Sequence, residues 1–391
     1  MNAETIKQKD QQYIMHTYAR SDVCLDHGKN ATCYDVDGKE YIDFGSGIGV
    51  NSLGFCDEGW TKAVTSQLQK LAHTSNLYYT EPQVRLAEKL CTRTGMKRVF
   101  YANSGAEANE GAIKLARKYS EQKYTKARTE IVTLKQSFHG RTVTTLSATG
   151  QDFFHQYFYP FTEGFRYAPA NDFEGLKATV TENTCAIMME LIQGEGGVIP
   201  LQKDFVSKVA AFCQEQDLLL IIDEVQTGIG RTGTLLCCEQ YHITPDIITL
   251  AKGLGGGLPI GAVLTGEKSD VFAPSDHATT FGGNPAICAG ACEVLNRLDD
   301  NFLKEVAEKG KYLTEKVSSL PHVEGVDGLG MMLGIRLEEP LQAGEIAKEC
   351  LKQGLITLTA KTKLRFLPPL TITKEEIDRG LAILQAVLQN A

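Results

Sequence analysis

Short apolar runs alternate with helical patterns through the middle of the chain. The runs of strand length are RVFYAN, EIVTLKQS, CAIMMELI, LLLIIDEV, DIITLAKG and GAVLTG. Between such runs, apolar residues recur at helical spacing, as in AEANEGAIKLARKYSEQ. Strands that alternate with helices are typical of a mostly parallel sheet with helices on both faces, and we predict that architecture here.

The two ends of the chain show other patterns. Near the start, CYDVDGKEYIDFGSG predicts a hairpin of two short strands around the turn Asp37-Gly38. After Asn284-Pro285, the spacing predicts one long helix from Ala286 to about Val317. The segments GVDGLGMMLGIRL and LRFLPPLTIT then indicate a smaller α+β unit. We predict an N-terminal segment over 1–48 that packs with the small domain, a large domain over 49–284 and a small domain over 285–391.

Composition narrows the class of protein. The chain has 391 residues, 42% of them hydrophobic and 23% charged, which is ordinary for a globular protein. Its net charge of -8 argues against a nucleic-acid partner, which usually meets a basic face. No stretch has the pattern of a secretory or membrane-spanning segment. Eleven cysteines without a metal-ligand spacing predict free thiols in the cytoplasm and no metal site.

Polar groups follow several of the predicted strands, where a parallel sheet binds its ligands. Ser104, Gly105 and Ala106 lie between a strand and a helix, so free N–H groups and the helix dipole favour an anion there. An ordinary capped helix start is the alternative. Asp223 ends a buried strand, where a carboxylate needs a cation or donors. It is either the counter-ion of a protonated ring nitrogen or a cap for the next segment.

Two more strand ends carry an aromatic ring and cations. Phe138 either stacks on a flat ligand or packs in the core, and Arg141 either clamps a carboxylate or is solvated. His139, between them, is interpreted as structural. Lys252 separates an apolar strand from a glycine-rich loop, where lost hydration makes an amine a usable nucleophile and base. Together with the anion site and Asp223, these groups meet the needs of pyridoxal phosphate, PLP.

The same motifs resemble, nearly end to end, those of the class III aminotransferases of PLP fold type I. The matching segments are DVDGKEYIDFGSGIGVNSLG, NSGAEANEGAIKLARK, FHGRT, ELIQGEGG, IIDEVQTGIGRTG, LAKGLGGGLPIGA, ATTFGGNP and LRFLPPLTIT. The resemblance implies an α/β fold with a large, mostly parallel domain and a smaller α+β domain. It also implies PLP as the cofactor, and a homodimer whose active sites are shared across the interface.

The resemblance implies a role for each matching residue. Lys252 is expected to bind the cofactor aldehyde as a Schiff base and, with Asp223, to form the catalytic pair. Further cofactor contacts are expected from Ser104, Gly105, Ala106, Phe138, Glu224, Val225 and Gln226, with Thr280 reaching the phosphate of the neighbouring subunit. Substrate contacts are expected from Arg141, Glu195, Thr279 and Arg365. Glu195 is expected to pair with Arg365 and to release it when 2-oxoglutarate arrives.

Within the class, GIGVNSLG resembles the acetylornithine group more than the ornithine group. The implied reaction moves the terminal amine of N-acetylornithine to 2-oxoglutarate, giving N-acetylglutamate semialdehyde and glutamate in arginine biosynthesis. Ornithine δ-, succinylornithine and 4-aminobutyrate aminotransferases share most motifs and stay open as alternatives. A non-catalytic binding protein on the same scaffold is a further alternative, against which the presence of Lys252 and Asp223 speaks.

Two segments depart from the family pattern. FCDEGW, from Phe55 to Trp60, stands where the family often has a Gly-His-x-His-Pro element, and Leu191 stands where a proline is usual. The first departure concerns a local loop, and the second leaves Glu190 and Glu195 of the same motif in place. Neither changes the chemistry that the other motifs predict.

Overall fold

The computed structural model describes residues 1–124, 126 and 128–391. The predicted hairpin around Asp37-Gly38 is present, because β2 and β3 pair antiparallel on either side of that turn. The elements before the central sheet are α1 (Ala3–Tyr13), β1 (Leu25–Lys29), β2 (Thr32–Asp35), β3 (Glu40–Asp43), α2 (Ser46–Gly49), α3 (Glu58–Lys70) and α4 (Glu81–Thr94).

The alternating region forms strands where the apolar runs predicted them. Two short 3-10 helices, Asp152–His155 and Lys252–Gly255, interrupt it. Its regular elements are β4 (Arg98–Ala102), α5 (Gly105–Lys123), β5 (Glu130–Leu134), α6 (Val143–Ala148), β6 (Phe165–Ala168), α7 (Phe173–Thr179), β7 (Thr184–Met189), β8 (Ile192–Gln193), β9 (Ile199–Pro200), α8 (Lys203–Glu215), β10 (Leu219–Asp223), α9 (Cys238–Tyr241), β11 (Ile247–Leu250) and β12 (Gly261–Thr265).

A seven-stranded sheet forms the centre of the molecule, in the order β4-β12-β11-β10-β7-β5-β6. Strand β12 runs antiparallel to both of its neighbours, and the other neighbouring strands pair in parallel. The predicted mostly parallel α/β sheet is therefore confirmed. Residues along β10 alternate between two apolar clusters: Leu220 and Ile222 join one, and Leu219 and Ile221 the other. Both faces of the sheet are thus covered, as parallel strands require.

The C-terminal part differs from the prediction in its first element. The single helix expected from Ala286 to about Val317 is wrong, since the chain forms two helices here. Asp299 separates them, because its carboxylate accepts a hydrogen bond from the Phe302 amide at 2.8 Å and caps the second helix. The elements are α10 (Pro285–Arg297), α11 (Asp300–Ser318), β13 (Val323–Leu329), β14 (Met332–Leu337), α12 (Ala343–Lys352), β15 (Leu355–Ile356), β16 (Leu358–Ala360), β17 (Lys363–Phe366) and α13 (Lys374–Gln389).

Two four-stranded sheets lie outside the central one. The first has the order β1-β2-β3-β15, so the N-terminal strands pair with a C-terminal one, Ile42 opposite Leu355. The second, β13-β14-β17-β16, comes wholly from the C-terminal part and carries Arg365 on β17. The division of the chain into 1–48, 49–284 and 285–391 stays a prediction. In the part of the chain that the structure describes, no helix is both long and apolar enough to cross a membrane.

Candidate active site

The carboxyl ends of the central strands open into a cavity of about 500 Å³. Many of the residues singled out from the sequence line it, although they come from separate strand ends. Those residues are Ser104, Gly105, Ala106, Phe138, Arg141, Asp223, Val225, Gln226 and Lys252. Asn109, His139 and Glu190 line the same cavity and had no predicted role in it.

Lys252 lies two residues after the end of β11 and begins a 3-10 helix with a positive φ of 40°. Such a backbone conformation is uncommon for a residue with a side chain, and it concentrates at functional sites. Burial lowers the pKa of its amine, and this effect outweighs the nearby carboxylates Glu195 and Asp223, which act in the opposite direction. The amine is therefore easier to deprotonate than an ordinary lysine, as a nucleophile and base requires.

Asp223 is held by three donors. Its Oδ2 accepts hydrogen bonds from Asn109 Nδ2 and from His139 Nδ1, both at 2.8 Å, and its Oδ1 accepts one from the Val225 amide at 3.0 Å. A carboxylate only accepts, so the His139 proton resides on Nδ1. The three side chains Asn109, His139 and Asp223 are buried, which fixes the carboxylate in one orientation.

Asn109 has a second contact that ties this network together. Its amide group also donates to the His139 carbonyl at 2.7 Å, so one side chain orients both partners. Asn109 lies on α5, one turn after Gly105. The signal in the sequence that could have indicated Asn109 is a polar residue among the apolar positions of a predicted helix. His139 was interpreted as structural, and the structure places it directly on the carboxylate of Asp223.

Glu190 is a second buried carboxyl group in the cavity wall. It follows β7 and accepts hydrogen bonds from the Phe138 amide at 2.9 Å and the Gly194 amide at 3.4 Å. Burial raises the pKa of Glu190 to about 7, partly opposed by His139. The carboxyl group of Glu190 therefore titrates near neutral pH. Its hydrogen bond to the Phe138 amide fixes the backbone of the residue that carries the ring.

The start of α5 forms a cradle for an anion. Ser104 caps this helix, because its hydroxyl accepts a hydrogen bond from the Glu107 amide at 3.2 Å. The amides of the first turn have no acceptor within the helix, and they lie at the positive end of its dipole. A Cβ on Gly105 would come within 2.7 Å of Val225 Cγ1, so this position needs a glycine.

An ion pair joins the central part of the chain to β17. Arg365 donates from Nη1 to Glu195 Oε1, and the arginine is almost completely buried. Burial alone would raise the pKa of Glu195, but the charge and hydrogen bond of Arg365 bring it below the ordinary value. The pair lies close enough to Lys252 for each charge to shift the pKa of that amine. The pairing expected between Glu195 and Arg365 is thus present.

Besides Glu195 and Arg365, three more predicted residues do not line this cavity. Thr279 and Thr280 line a second cavity of about 850 Å³, outside the one that contains Lys252. Thr279 is connected to the first cavity through Asn103, whose Nδ2 donates to its hydroxyl at 3.0 Å. Glu224 is fully buried and accepts hydrogen bonds from the Thr227 hydroxyl and the Cys238 amide. It supports the turn after β10 rather than the cavity wall.

The chemistry of the cavity fits PLP. The cradle at Gly105 suits its phosphate, the Phe138 ring suits its flat face, and Asp223 suits a protonated ring nitrogen. Gln226 Oε1 is buried and, among the described residues, has no hydrogen-bond partner. A buried acceptor of this kind is costly unless a ligand supplies the missing donor. We find no feature of the cavity that conflicts with this cofactor.

Comparison with known proteins gives one consistent result. Residues 13–388 match the family described as aminotransferase class III. The chain is 54% identical over 390 residues to an acetylornithine aminotransferase of Haemophilus ducreyi, with 99% of each chain covered. It is similar to the structure of N-acetylornithine aminotransferase from Stenotrophomonas maltophilia, with a TM-score of 0.84, 37% identity and 98% of each chain covered.

A further structural relative is described together with a cofactor. It is the ornithine aminotransferase from Toxoplasma gondii, with PLP in partial occupancy at its active site. Its TM-score is 0.94 at 29% identity, and the match covers 100% of this chain and 94% of that one. Ornithine and acetylornithine enzymes thus share this fold, so the fold alone does not select the substrate.

Proposed function

Because the chain belongs to the class III aminotransferase family, we propose that it transfers the δ-amine of N-acetylornithine to 2-oxoglutarate, with PLP as cofactor. The products are N-acetylglutamate semialdehyde and glutamate, and the reaction is a step of arginine biosynthesis. One observation carries the proposal: a buried arginine, Arg365, is masked by Glu195 beside the amine of Lys252. Such an arrangement suits a site that must receive two substrates of different shape.

The cofactor would be held by residues already described. The first turn of α5 would bind the phosphate, Phe138 would cover the ring, and Lys252 would bind the aldehyde covalently. PLP, when bound, supplies an electron sink that stabilises negative charge on the substrate carbon. Asp223 contributes to this by keeping a proton on the ring nitrogen, and Asn109 and His139 hold its carboxylate in place.

Lys252 would also move the proton of the reaction. Its lowered pKa makes the neutral amine available as a base toward the substrate carbon. The same nitrogen, once protonated, is the acid that returns the proton to the cofactor carbon. A single group serves both transfers, since Lys252 lines the cavity that would hold the cofactor.

Two arginines would separate the two substrates. N-acetylornithine reacts at its terminal amine, so its α-carboxylate lies far from the reacting atom, within reach of Arg141. 2-Oxoglutarate reacts at its α-carbon, so its α-carboxylate lies beside the reacting atom and requires Arg365. Glu195 neutralises Arg365 while the donor is bound and leaves it when 2-oxoglutarate binds. Without this mask, Arg365 would attract the donor's α-carboxylate and promote reaction at the wrong amine.

The amino donor is tested by comparing substrates with a common acceptor. We expect kcat/KM with 2-oxoglutarate to be highest for N-acetylornithine, compared with N-succinylornithine, ornithine and 4-aminobutyrate. Only the acylated compounds offer a single free amine together with an α-carboxylate for Arg141. A preference for ornithine or 4-aminobutyrate would overturn the assignment of the donor and leave the family unchanged.

The proposal includes a homodimer in the cytoplasm. Thr280 lies outside the cavity of its own chain, which leaves it available to a neighbouring subunit. The cysteines are unpaired in the structure, all eleven of them, as a reducing compartment favours. The substrates are small molecules, and neither nucleic acid nor a membrane is part of the proposal.

A further inference from the structure

The guanidinium of Arg141 lies on two aromatic rings. Its central carbon is 4.0 Å from the centre of the Phe154 ring and 5.6 Å from that of Phe138. The two rings contact each other edge to face, with centres 6.0 Å apart. We call Phe138 and Phe154 the aromatic platform. Phe138 belongs to the predicted cofactor site, whereas nothing in the sequence had indicated Phe154.

The aromatic platform orients the Arg141 guanidinium in place of an ion pair. Among the described residues, no carboxylate lies within ion-pair distance of Arg141, in contrast to the buried pair of Arg365 and Glu195. Arg141 is also exposed at the cavity wall. A long exposed side chain has many rotamers, so ordering it on binding a ligand costs conformational entropy. A ring under its flat face reduces that cost beforehand.

Stacking orients an arginine without neutralising it. A ring contacts the flat face of the guanidinium, and the N–H groups at its edge stay available for a carboxylate. A glutamate or aspartate at the same place would occupy those N–H groups and compete with the ligand. Arg141 therefore stays ready for one carboxylate, whereas Arg365 must first lose Glu195.

Phe154 is itself held in place. It lies in the 3-10 helix Asp152–His155, and its amide donates to the Gln151 carbonyl at 3.0 Å. The buried Gln151 side chain donates to the Ser137 carbonyl at 3.1 Å and accepts from Lys361 Nζ at 2.8 Å. The segment that carries the ring is thus tied both to the loop that carries Phe138 and to the turn before β17. A ring on an anchored segment is a suitable support for the exposed arginine.

We propose that Phe154 is a positioning residue that sets the affinity of Arg141 for the α-carboxylate of the amino donor. The inference rests on the proposed function, because it assumes that Arg141 binds the donor. In this proposal, the Phe154 ring contributes to selection of the amino donor by contacting Arg141, and it takes no part in the chemical step.

The test measures binding without turnover. N-acetylnorvaline has the acylated end of the donor and lacks the terminal amine, so it binds and cannot react. By calorimetry on the PLP-loaded enzyme, we expect Phe154→Leu to raise its Kd by roughly fivefold, the effect of losing a cation–π contact. Phe154→Tyr should restore the Kd of the unmodified enzyme. Phe153→Leu is the matched control, since that ring is mostly exposed and contacts Phe154 from the side. It should leave the Kd unchanged.

The Arg141→Ala variant distinguishes the role of Arg141 in donor binding from the role of Phe154 in positioning that arginine. If Arg141→Ala does not weaken N-acetylnorvaline, the proposed role of Arg141 is wrong, and the inference about Phe154 falls with it. If Arg141→Ala weakens binding and Phe154→Leu does not, only the positioning role is overturned. In the double variant, we expect no loss beyond that of Arg141→Ala, because Phe154 acts through the arginine. Additive losses would also overturn the proposal.

Discussion

Glu190 is a residue whose charge depends on its surroundings. Burial raises its pKa to about 7, so the folded protein binds a proton there that the unfolded chain, with an ordinary pKa near 4.5, has already released. The folded state is therefore favoured by this group at low pH, and the contribution is lost as pH rises through 7. The hydrogen bonds from the Phe138 and Gly194 amides are too few to reverse this effect of burial.

Replacing Glu190 by glutamine should remove that dependence on pH. We expect the stability of Glu190→Gln, relative to the unmodified protein, to increase by about 1 kcal/mol between pH 6 and pH 8. Thermal or urea unfolding at the two pH values measures the difference. Glu215→Gln, at an exposed position on α8, is the control and should show no such change. A constant difference for Glu190→Gln across this range would contradict the raised pKa.

Arg365 should matter for only one half of the reaction. We expect Arg365→Ala to weaken binding of the transition state in the 2-oxoglutarate half-reaction by about 2–5 kcal/mol. The reason is that the α-carboxylate of this substrate loses its buried cationic partner. The N-acetylornithine half should stay largely intact, and single-turnover spectra of each half provide the measurement. Arg336→Ala removes another arginine of the same sheet, which pairs with Asp327 away from the cavity, and both halves should be unaffected. Equal damage to both halves by Arg365→Ala, with PLP still bound, would argue against the switch.

At the scale of elements, the first turn of α5 combines packing with ligand binding. Gly105 is packed so closely against Val225 that an added Cβ would come within 2.7 Å of its side chain. We expect Gly105→Ala to lower the free energy of unfolding by about 1–3 kcal/mol through overpacking and to weaken PLP retention. Thermal unfolding and the absorbance of cofactor left after gel filtration measure the two effects.

Gly344 is a matched control for this prediction. It also lies in the first turn of a helix, α12, and a Cβ there would have no neighbour within 4 Å. Alanine favours helix over glycine, so Gly344→Ala should be neutral or stabilise the protein by about 0.5–1 kcal/mol. The same response from both variants would mean that packing against Val225 is not what requires a glycine at 105.

For the molecule as a unit, one exposed apolar surface is a candidate contact for the second copy of the proposed homodimer. Leu77, Tyr78 and Tyr79 are exposed beside the segment that carries Thr280. Asn76 joins the two segments, because its side chain donates to the carbonyls of Thr279 and Gly282. Large exposed apolar patches of this kind mark protein interfaces. Burying this surface in a dimer would bring Thr280 next to the neighbouring subunit.

Mixed dimers test whether each active site uses two chains. Lys252→Ala should be inactive, and Thr280→Asp should also be inactive, because it places a charge against the phosphate. When the two variants are co-expressed, a mixed dimer has one intact site if Thr280 serves the partner. We expect about a quarter of the unmodified activity from random pairing of subunits. If Thr280 served its own chain, no pairing would restore activity. A fully active monomer in sedimentation experiments would contradict the proposal as well.

Strand-sized apolar runs and helical spacing are local properties of the chain, so they were enough to predict the elements of the central sheet. The sequence also singled out Lys252 and Asp223 as candidate site residues, since a charged residue after a buried strand is costly without a purpose, and both line the cavity. The break between α10 and α11 had a local signal too, in the acidic residues that follow Leu298, but the apolar spacing on both sides concealed it.

Which side chains meet depends on how distant segments of the chain pack together. Asn109 and Asp223 are separated by 114 positions in the sequence and share a hydrogen bond, and an asparagine within a helical pattern does not reveal its partner. Phe154 contacts Arg141 because a short 3-10 helix places its ring against the guanidinium, whereas in the sequence it is one aromatic residue among several. Local patterns depend on the periodicity of the backbone, so a sequence can show them. Contacts between distant segments depend on how the elements pack, and only the folded chain establishes them.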